Sequence, residues 1–404
     1  MKDHADIVVI GGGAAGVGAL RTLADAGRDV LLLEAQGRLG GRAHTVHVAG
    51  LPIDLGAGWL HSATSNPWVP IAEACGFAIY RAPPLWDEQW RELGFSRTEQ
   101  AELWEVFDAC MAAIRTPPPS DRASDLLPPG GKWNAALDAL SGFINGAPIR
   151  EMSVADWFAY DEASTDIDWR VEQGYGALVA AHAAGLPAAL ATPVSGIDTS
   201  GKRLRIATPR GTVTANAAIV TVSTNVLASG ALALPGHDAI LHAASELPLG
   251  LADKLFFALE GGEEIDDNAH LVGDPHSACT GSYTLRPFGR PVVECMLGGD
   301  GARAMEKEGL NGAAAFAIGE LCHLLGSDWR GKLRFVAGSA WGRETHILGS
   351  YSHALPGRHG ARAVLRTPVD PRIRFAGEAC SDGEFSTAHG AYNSGVVAAK
   401  ALLV

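Results

Sequence analysis

The first strongly apolar segment of the chain is residues 6–10, whose composition is typical of a strand buried on both faces. A glycine-rich turn at residues 11–16 follows, then helix-forming residues from 17 to 26 and a second apolar segment at residues 29–33. This order of patterns predicts a strand–turn–helix–strand unit of the Rossmann type. The fold class that it indicates is α/β.

Further along the chain, the hydrophobic pattern changes between helical and strand periods. Ser96 and Glu99 have the spacing of a capping box, which predicts a helix with apolar residues at Leu103, Val106, Phe107, Cys110 and Ile114. Short apolar segments broken by glycine and aspartate predict strands at residues 193–197, 203–206, 217–222 and 373–377. A last helix is predicted at residues 387–403.

Composition and charge narrow the classes of function. The chain has 404 residues, of which 47% are hydrophobic and 19% charged, and this predicts two or three globular domains. It contains no run of about 18 apolar residues and no signal-peptide pattern, so we expect no membrane segment and a cytoplasmic location. The net charge of −13 argues against nucleic acid and suits a cationic substrate. The six cysteines are scattered, which argues against a metal site.

The turn at residues 11–16 contains a G-x-G-x-x-G motif. We expect Gly11 to make the tight turn, Gly13 to let backbone N–H groups approach a pyrophosphate, and Gly16 to let helix and strand pack closely. Glu34, at the end of the second strand, can accept hydrogen bonds from ribose hydroxyls. The motif alone does not separate FAD from NAD. The R-x-G-G-R run that follows favours FAD, because arginine suits pyrophosphate oxygens; it comprises Arg38, Gly40, Gly41 and Arg42.

Four further blocks follow the nucleotide motifs, and all five together resemble the flavin-dependent amine oxidases. That family includes monoamine oxidases, polyamine and spermine oxidases and histone lysine demethylases. The further blocks are residues 54–61 with 66–67, residues 253–257, Trp341 with residues 349–352, and residues 375–379 with 386–392. The resemblance implies a Rossmann-type FAD-binding domain with an inserted mixed α/β substrate-binding domain. We expect the FAD-binding domain at residues 1–80, 170–246 and 365–404, and the substrate-binding domain at residues 81–169 and 247–364.

The resemblance also implies contacts with FAD beyond the nucleotide motifs. Small residues would let the backbone approach the isoalloxazine ring, and the last helix would begin near the flavin pyrimidine ring. The implied contacts are Gly56, Ala57, Gly58, Trp59, Val194, Trp341, Gly377, Glu378, Thr387 and Ala388. Ser350 stands where monoamine oxidases carry the cysteine that binds flavin, so we expect non-covalent FAD. Gln36 replaces the basic residue that many relatives carry.

For the chemistry, the resemblance singles out Lys254 and His61. A lysine in an apolar segment is costly unless it has a partner or a function, and in the family the matching lysine holds a water near flavin N5 and aids the reaction with oxygen. His61 matches a histidine of animal-type polyamine oxidases and would bind or deprotonate a substrate ammonium. Tyr351 would form one aromatic wall, whereas Thr387 stands where monoamine oxidases have a second tyrosine. The implied substrate contacts are Tyr351, Trp59, Ser386 and Thr387.

The function that the resemblance favours is oxidation of a small cationic amine, foremost a polyamine. Hydride would pass from the uncharged amine to flavin N5, the imine would be hydrolysed to an aldehyde and an amine, and O2 would be reduced to hydrogen peroxide. The alternatives are an oxidase of a monoamine or an amino acid, a flavin amine dehydrogenase with another electron acceptor, and a catalytically idle flavin-binding scaffold. Carboxylates must meet the remaining ammonium groups of a polyamine, and the candidates are Glu88, Glu92, Asp156 and Glu246. The oligomeric state stays open.

Overall fold

The computed structural model describes residues 2–262 and 264–403. Its strands are β1 (His4–Ile10), β2 (Val30–Leu33), β3 (Thr45–Val48), β4 (Leu51–Asp54), β5 (Trp59–Leu60), β6 (Ile79–Tyr80), β7 (Trp169–Val171), β8 (Ala188–Ala189), β9 (Gly196–Asp198), β10 (Leu204–Thr208), β11 (Gly211–Val220), β12 (Ala252–Leu259), β13 (Ala269–Val272), β14 (Ser282–Leu285), β15 (Val292–Gly298), β16 (Leu333–Gly338) and β17 (Ile373–Phe375). Its α-helices are α1 (Ala14–Asp25), α2 (Trp68–Ala74), α3 (Arg97–Ala113), α4 (Asn134–Asn145), α5 (Val154–Ala163), α6 (Tyr175–His182), α7 (Thr224–Ala228), α8 (Asp238–Ser245), α9 (Gly299–Leu325), α10 (Trp329–Lys332), α11 (Ala361–Arg366) and α12 (Ala388–Lys400).

A seven-stranded sheet forms the first core. Its strands run in the order β8-β2-β1-β11-β10-β9, and β17 pairs with β11. The strands β1, β2, β11 and β17 are parallel, and their apolar residues contribute to a hydrophobic core on each face of the sheet. On one face α1 packs against α12, so the first and last helices of the chain lie together.

The N-terminal strand–turn–helix–strand prediction is confirmed, with one shift of boundary. The helix begins at Ala14, three residues earlier than expected, because Gly13 already serves as its N-cap. The capping box is also confirmed: the Ser96 side chain accepts a hydrogen bond from the Glu99 N–H, and α3 begins directly after it. The strand expected at residues 193–197 begins only at Gly196.

A second sheet consists of the five strands β12 to β16. Its order is β13-β14-β15-β12-β16, and all neighbours are antiparallel. Helix α9 shares a hydrophobic core with this sheet. The sheet lies within residues 247–364, the range expected for substrate binding, but Ala354 and Ala361 of that range pack into the first core. The chain therefore returns to the first core before residue 365.

A small sheet joins three segments that are distant in the sequence. Strand β7 lies between β5 and β6 and is antiparallel to both. The pairing sets Trp59 opposite Arg170 and Leu60 opposite Trp169. Continued by one residue, this register places residue 61 opposite residue 168. Among the described helices, none is long and apolar enough to cross a membrane.

Candidate active site

The glycine turn after β1 leaves the N-terminus of α1 open. Gly13 is the N-cap, no side chain caps this end of the helix, and the first turn has no acidic residue. A Cβ placed on Gly13 would meet no atom within 4 Å, whereas a Cβ on Gly16 would lie 1.9 Å from the Gly11 carbonyl oxygen. The turn therefore packs closely against the protein at Gly16 and has free space at Gly13. Binding of a phosphate at a helix N-terminus requires such free space.

The R-x-G-G-R run lies directly against this turn. The Gly40 N–H donates to the Gly12 carbonyl oxygen at 2.8 Å. A Cβ on Gly41 would lie 3.1 Å from the Gly13 Cα, so the two backbones approach closely. The Arg38 guanidinium donates to the Gly41 carbonyl oxygen at 2.8 Å, and burial lowers the pKa of Arg38. The run and the turn thus form one continuous backbone surface.

Glu34 is a buried acid beside the same turn. Its carboxylate accepts hydrogen bonds from the N–H groups of Gly12 at 2.5 Å and Gln36 at 2.6 Å, and burial raises its pKa. Each carboxylate oxygen has a second lone pair that a ribose hydroxyl could use. The Thr192 N–H donates to the Glu34 carbonyl oxygen at 2.8 Å, which brings the segment that contains Val194 beside Glu34.

An ion pair joins the R-x-G-G-R run to the C-terminal part of the chain. The Arg42 guanidinium lies 2.8 Å from a Glu378 carboxylate oxygen. Glu378 also accepts hydrogen bonds from the Ser352 hydroxyl at 2.6 Å and the Ser386 N–H at 2.9 Å. A Cβ on Gly377, the preceding residue, would meet no atom within 4 Å. Glu378 therefore connects three segments beside an open stretch of backbone.

The loop before β5 packs tightly against the same run. The Ala57 N–H donates to the Arg42 carbonyl oxygen at 3.1 Å. A Cβ on Gly56 would lie 1.9 Å from that oxygen and 2.8 Å from the Trp341 ring. The glycine is therefore required for this close approach, and the buried Trp341 ring holds the loop from the other side.

Lys254, on β12, points its ammonium group at this loop. A Cβ on Gly58 would lie 3.2 Å from the Lys254 Nζ. The Nζ is 2.7 Å from one oxygen of Glu294, and the other oxygen of Glu294 accepts a hydrogen bond from Arg170 at 2.9 Å. Lys254, Glu294 and Arg170 are exposed by only 7%, 6% and 6%. The lysine therefore lies in a buried cluster with these two charged partners, and the buried Asp54 is close enough to act on its charge.

The charges of this cluster act strongly on one another. Burial alone would raise the pKa of Glu294, but the Lys254 ammonium and the Arg170 guanidinium lower it to about 2. An ammonium group has three N–H donors, and the Glu294 oxygen at 2.7 Å can accept from only one of them. The other N–H groups of Lys254 are therefore available to a further partner, such as a water molecule.

Ser350 and Tyr351 lie next to β12, and both hydroxyl groups are engaged with backbone groups. The Ser350 hydroxyl accepts a hydrogen bond from the Ala252 N–H at 2.7 Å and donates to the Ala252 carbonyl oxygen at 2.9 Å. The Tyr351 hydroxyl donates to the Phe143 carbonyl oxygen at 2.6 Å, and burial raises the pKa of Tyr351. Tyr351 can therefore offer a substrate its ring but not its hydroxyl.

The hydroxyl groups of Ser386 and Thr387 are likewise engaged. Thr387 is the N-cap of α12, which begins at Ala388, and its hydroxyl accepts a hydrogen bond from the Gly390 N–H at 2.9 Å. The Ser386 hydroxyl donates to the Ser352 carbonyl oxygen at 2.7 Å. Both residues shape the start of α12.

His61 follows β5, and its side chain contacts a carboxylate from the residue just before the neighbouring strand, β7. Its Nδ1 lies 2.9 Å from an oxygen of Asp168, although the two residues are 107 positions apart. The Trp86 ring lies 6.2 Å from the His61 ring and contacts Trp59 edge-on at 4.6 Å. Burial lowers the pKa of the nearby His389 to about 4, so that ring is neutral near neutral pH.

The candidate carboxylates for remote ammonium groups are either paired with arginine or exposed to solvent. Asp156 is fully buried and receives two hydrogen bonds from Arg362, at 2.7 and 2.8 Å. The expectation that Asp156 could meet an ammonium group is wrong, because Arg362 already neutralises its charge. Glu246 pairs with Arg358 at 3.1 Å. The side chains of Glu88 and Glu92 are exposed.

Three charged residues of the site were missed by sequence reasoning: Arg170, Glu294 and Asp168. Arg170 and Glu294 carried a usable signal, because each is a charged residue in a short apolar strand, the same feature that singles out Lys254. Asp168 carried no such signal, because it lies in a loop with other acidic residues.

Taken together, the residues present fit a bound dinucleotide such as FAD. The uncapped N-terminus of α1 suits a pyrophosphate, and Glu34 suits a ribose. Open backbone at Gly13 and Gly377 leaves room for the rest of the molecule.

Comparison with known proteins agrees with this geometry. A family model described as flavin-containing amine oxidoreductase matches residues 14–94 and 105–403. Polyamine oxidase 2 of Arabidopsis thaliana is 29% identical over an alignment of 435 positions, which covers 98% of this chain and 87% of that protein. Polyamine oxidase 4 of Oryza sativa subsp. japonica is 28% identical over an alignment of 443 positions, which covers 97% of this chain and 87% of that protein.

Among solved structures, wild-type putrescine oxidase bound to putrescine superposes on the chain with a TM-score of 0.80. The two chains are 18% identical, and the superposition covers 99% of each. At this identity the likeness shows the fold. The fold class predicted from the sequence is therefore confirmed.

Proposed function

Since the chain belongs to the flavin-containing amine oxidoreductase family and is an FAD-dependent enzyme of that family, we propose that it oxidises a polyamine and passes the electrons to O2. The two polyamine oxidases aligned over nearly the whole chain support this substrate class. The net charge of −13 supports it as well, because an acidic protein attracts a polycation.

The observation that carries the oxidase proposal is the buried ammonium of Lys254 beside Gly58. Bound FAD would supply the acceptor for a hydride from the substrate and then the electrons for O2. Lys254 would place positive charge and free N–H groups where oxygen is reduced, with Glu294 balancing its charge. Its donors would also hold a water molecule there.

Other residues of the site would orient the amine. The rings of Trp59 and Tyr351 would form aromatic walls for a cationic or neutral amine. His61 would take a hydrogen bond or a proton from the substrate, because the reacting nitrogen must be uncharged to assist the loss of hydride. The engaged hydroxyls of Ser386 and Thr387 would act through the shape of the start of α12.

In this proposal FAD is held without a covalent bond. The open N-terminus of α1 would bind the pyrophosphate, Glu34 would bind a ribose, and Val194 would meet the adenine. Ser350 cannot form a thioether, and its hydroxyl is engaged with Ala252. The remaining contacts would come from Arg38, Gly40, Gly41, Arg42, Gly56, Ala57, Gly58, Trp341, Gly377, Glu378 and Ala388.

The test is a panel of amines assayed by hydrogen peroxide release under air. We expect spermine, spermidine or their acetylated forms to exceed benzylamine and an L-amino acid by about tenfold or more in kcat/KM, a difference of about 1.4 kcal/mol. The kcat/KM should rise with pH as the amine loses its proton, and added salt should weaken binding. Acid precipitation should release the yellow flavin into the supernatant.

Each alternative gives a different result in this panel. A higher kcat/KM for benzylamine or the amino acid would contradict the polyamine proposal. Reduction of a dye without peroxide release would indicate a dehydrogenase. Flavin that no amine bleaches under anaerobic conditions would indicate an idle scaffold, and flavin that stays with the precipitate would indicate covalent attachment.

A further inference from the structure

We propose that Asp168 binds a second ammonium group of the substrate, the one remote from the reacting carbon. This inference rests on the proposed function and names the residue that would select amines with two or more positive charges. It comes from the pairing of β5 with β7, which sets the Asp168 carboxylate opposite His61.

The position of Asp168 is held by more than one contact. The pairing of Trp59 with Arg170 continues to residues 61 and 168, which meet at 2.9 Å. Beyond them the two loops are joined by backbone and side-chain hydrogen bonds, from the Ala63 N–H to the Ile167 carbonyl oxygen at 2.7 Å and from the Thr165 N–H to the Ser62 hydroxyl at 3.0 Å. The carboxylate is therefore presented at a defined place.

The Asp168 carboxylate is also free to bind. Within residues 2–262 and 264–403, the contact of Oδ1 with His61 is the one hydrogen bond that it makes, so Oδ2 can accept from a ligand. The side chains of Asp168 and His61 are exposed by 14% and 37%. The carboxylate thus lies at the edge of the protein, partly shielded from water, where a charge-assisted hydrogen bond keeps more of its strength.

The surroundings of Asp168 suit a cation. The Trp86 ring is 39% exposed and packs edge-on against Trp59, which gives an aromatic wall next to His61. Besides His61, two basic groups lie near Asp168, and neither competes strongly for the site. His389 is neutral near neutral pH, and Arg170, which lies over Trp59 at 4.9 Å, is paired with Glu294.

The distance to the reacting centre suits an extended amine. Gly58 lies beside the Lys254 ammonium, and His61 follows three residues later. An extended chain advances about 3.3 Å per residue, so the backbone of His61 lies within about 10 Å of Gly58, and the Asp168 carboxylate contacts the His61 ring at 2.9 Å. A polyamine whose reacting nitrogen lies between Gly58 and His61 can place a second ammonium at the free oxygen of Asp168, whereas a monoamine cannot use both.

The experiment compares Asp168→Asn with Asp166→Asn, a substitution of an exposed acid on the same loop. The substrates are spermidine, which carries ammonium groups besides the reacting one, and n-butylamine, which has a single amine. For Asp168→Asn we expect kcat/KM for spermidine to fall by about tenfold or more, mainly through KM, which corresponds to the loss of one charge-assisted hydrogen bond. The value for n-butylamine should fall much less, because that substrate has no second ammonium group for Asp168 to bind. Asp166→Asn should change neither value, and Asp168→Glu should retain the preference.

Binding of unreactive cations provides a second readout. Calorimetry on the holoenzyme should show that Asp168→Asn weakens 1,4-diguanidinobutane but not n-butylguanidine. An equal loss of kcat/KM for spermidine and n-butylamine would overturn the inference, because it would mean that Asp168 acts only by orienting His61. If the wild type oxidises no amine but still binds 1,4-diguanidinobutane more tightly than Asp168→Asn does, the proposed function fails while the cation site at Asp168 is supported.

Discussion

At the scale of single residues, the candidate site depends on charges that are balanced inside the protein. Lys254 and Arg170 share the carboxylate of Glu294, and the buried Asp54 beside Gly58 also acts on Lys254. Loss of one partner of a buried ion pair typically costs about 3–5 kcal/mol, because a charge is left without compensation. These partners hold the Lys254 ammonium beside Gly58, where the proposed reaction would need a cation.

Lys254→Met tests this role. We expect the reoxidation of reduced flavin by O2 to slow by about tenfold or more, while its reduction by amine changes much less, because the lost charge acts on oxygen and not on the amine. Stopped-flow measurements of the two half-reactions, anaerobic and aerobic, separate the effects. Lys202→Met, at an exposed position, should change neither rate. An unchanged oxidative rate in Lys254→Met would leave Lys254 with a structural role alone.

At the scale of elements, two junctions build the site. The turn between β1 and α1 presents an uncapped helix end, and the pairing of β5 with β7 brings a carboxylate to His61. The first junction is local, because its glycines lie within six consecutive residues. The second is not local, because His61 and Asp168 are 107 positions apart in the sequence.

Substitutions of three glycines separate the packing role of the turn from its binding role. In Gly16→Ala the Cβ would clash with the Gly11 carbonyl oxygen, so we expect a lower melting temperature even without FAD, together with loss of flavin. In Gly13→Ala the Cβ meets no protein atom, so the flavin-free protein should melt as the wild type does, but FAD affinity should fall. Gly37→Ala, which also meets nothing, is the control and should alter neither property.

The measurements are thermal unfolding with and without added FAD, and flavin content after purification. Normal FAD affinity in Gly13→Ala would contradict the assignment of the pyrophosphate to this turn. An unchanged melting temperature in flavin-free Gly16→Ala would show that the turn can relax around the added atom.

At the scale of the whole molecule, the site lies where strand β12 of the second sheet reaches the loop before β5. Neighbouring residues of β12 point to opposite sides, so Lys254 faces Gly58 while Asp253 faces away from it. Asp253 accepts hydrogen bonds from the Ser339 hydroxyl at 2.8 Å and the Trp341 N–H at 3.0 Å. Burial, together with the nearby Glu306 carboxylate, raises the pKa of Asp253 from 3.8 to about 7.

This raised pKa predicts a pH dependence of stability. The folded protein binds the Asp253 proton more tightly than the unfolded chain does, so the resulting stabilisation is complete below about pH 4 and is lost as the pH rises toward 7. Asp253→Asn removes this contribution. We therefore expect the wild type to lose more unfolding free energy than the variant between pH 5 and pH 8.

Urea unfolding of the FAD-saturated protein at the two pH values provides the measurement. Asp108→Asn, at an exposed position, is the control and should keep the wild-type pH dependence. An equal pH dependence in Asp253→Asn and the wild type would mean that Asp253 is ionised throughout this range.

Sequence patterns were sufficient to predict the parts of the protein that depend on short-range order. The strand, the glycine turn and the helix at the N-terminus lie within one stretch of chain, so motif spacing was sufficient to predict them. The capping box at Ser96 is local in the same sense. Lys254 was identifiable because the cost of a charge in an apolar strand is visible in the strand itself.

Which charged side chains contact one another depends on how distant segments of the chain pack in three dimensions. Glu294 pairs with Arg170 across 124 positions of the sequence, and Asp168 reaches His61 across 107. Such pairs depend on strand register, and a shift by one residue would turn each side chain to the opposite face of its sheet. The sequence pattern indicates which residues are costly to bury. The packing of strands that lie far apart along the chain determines which partners compensate for this cost.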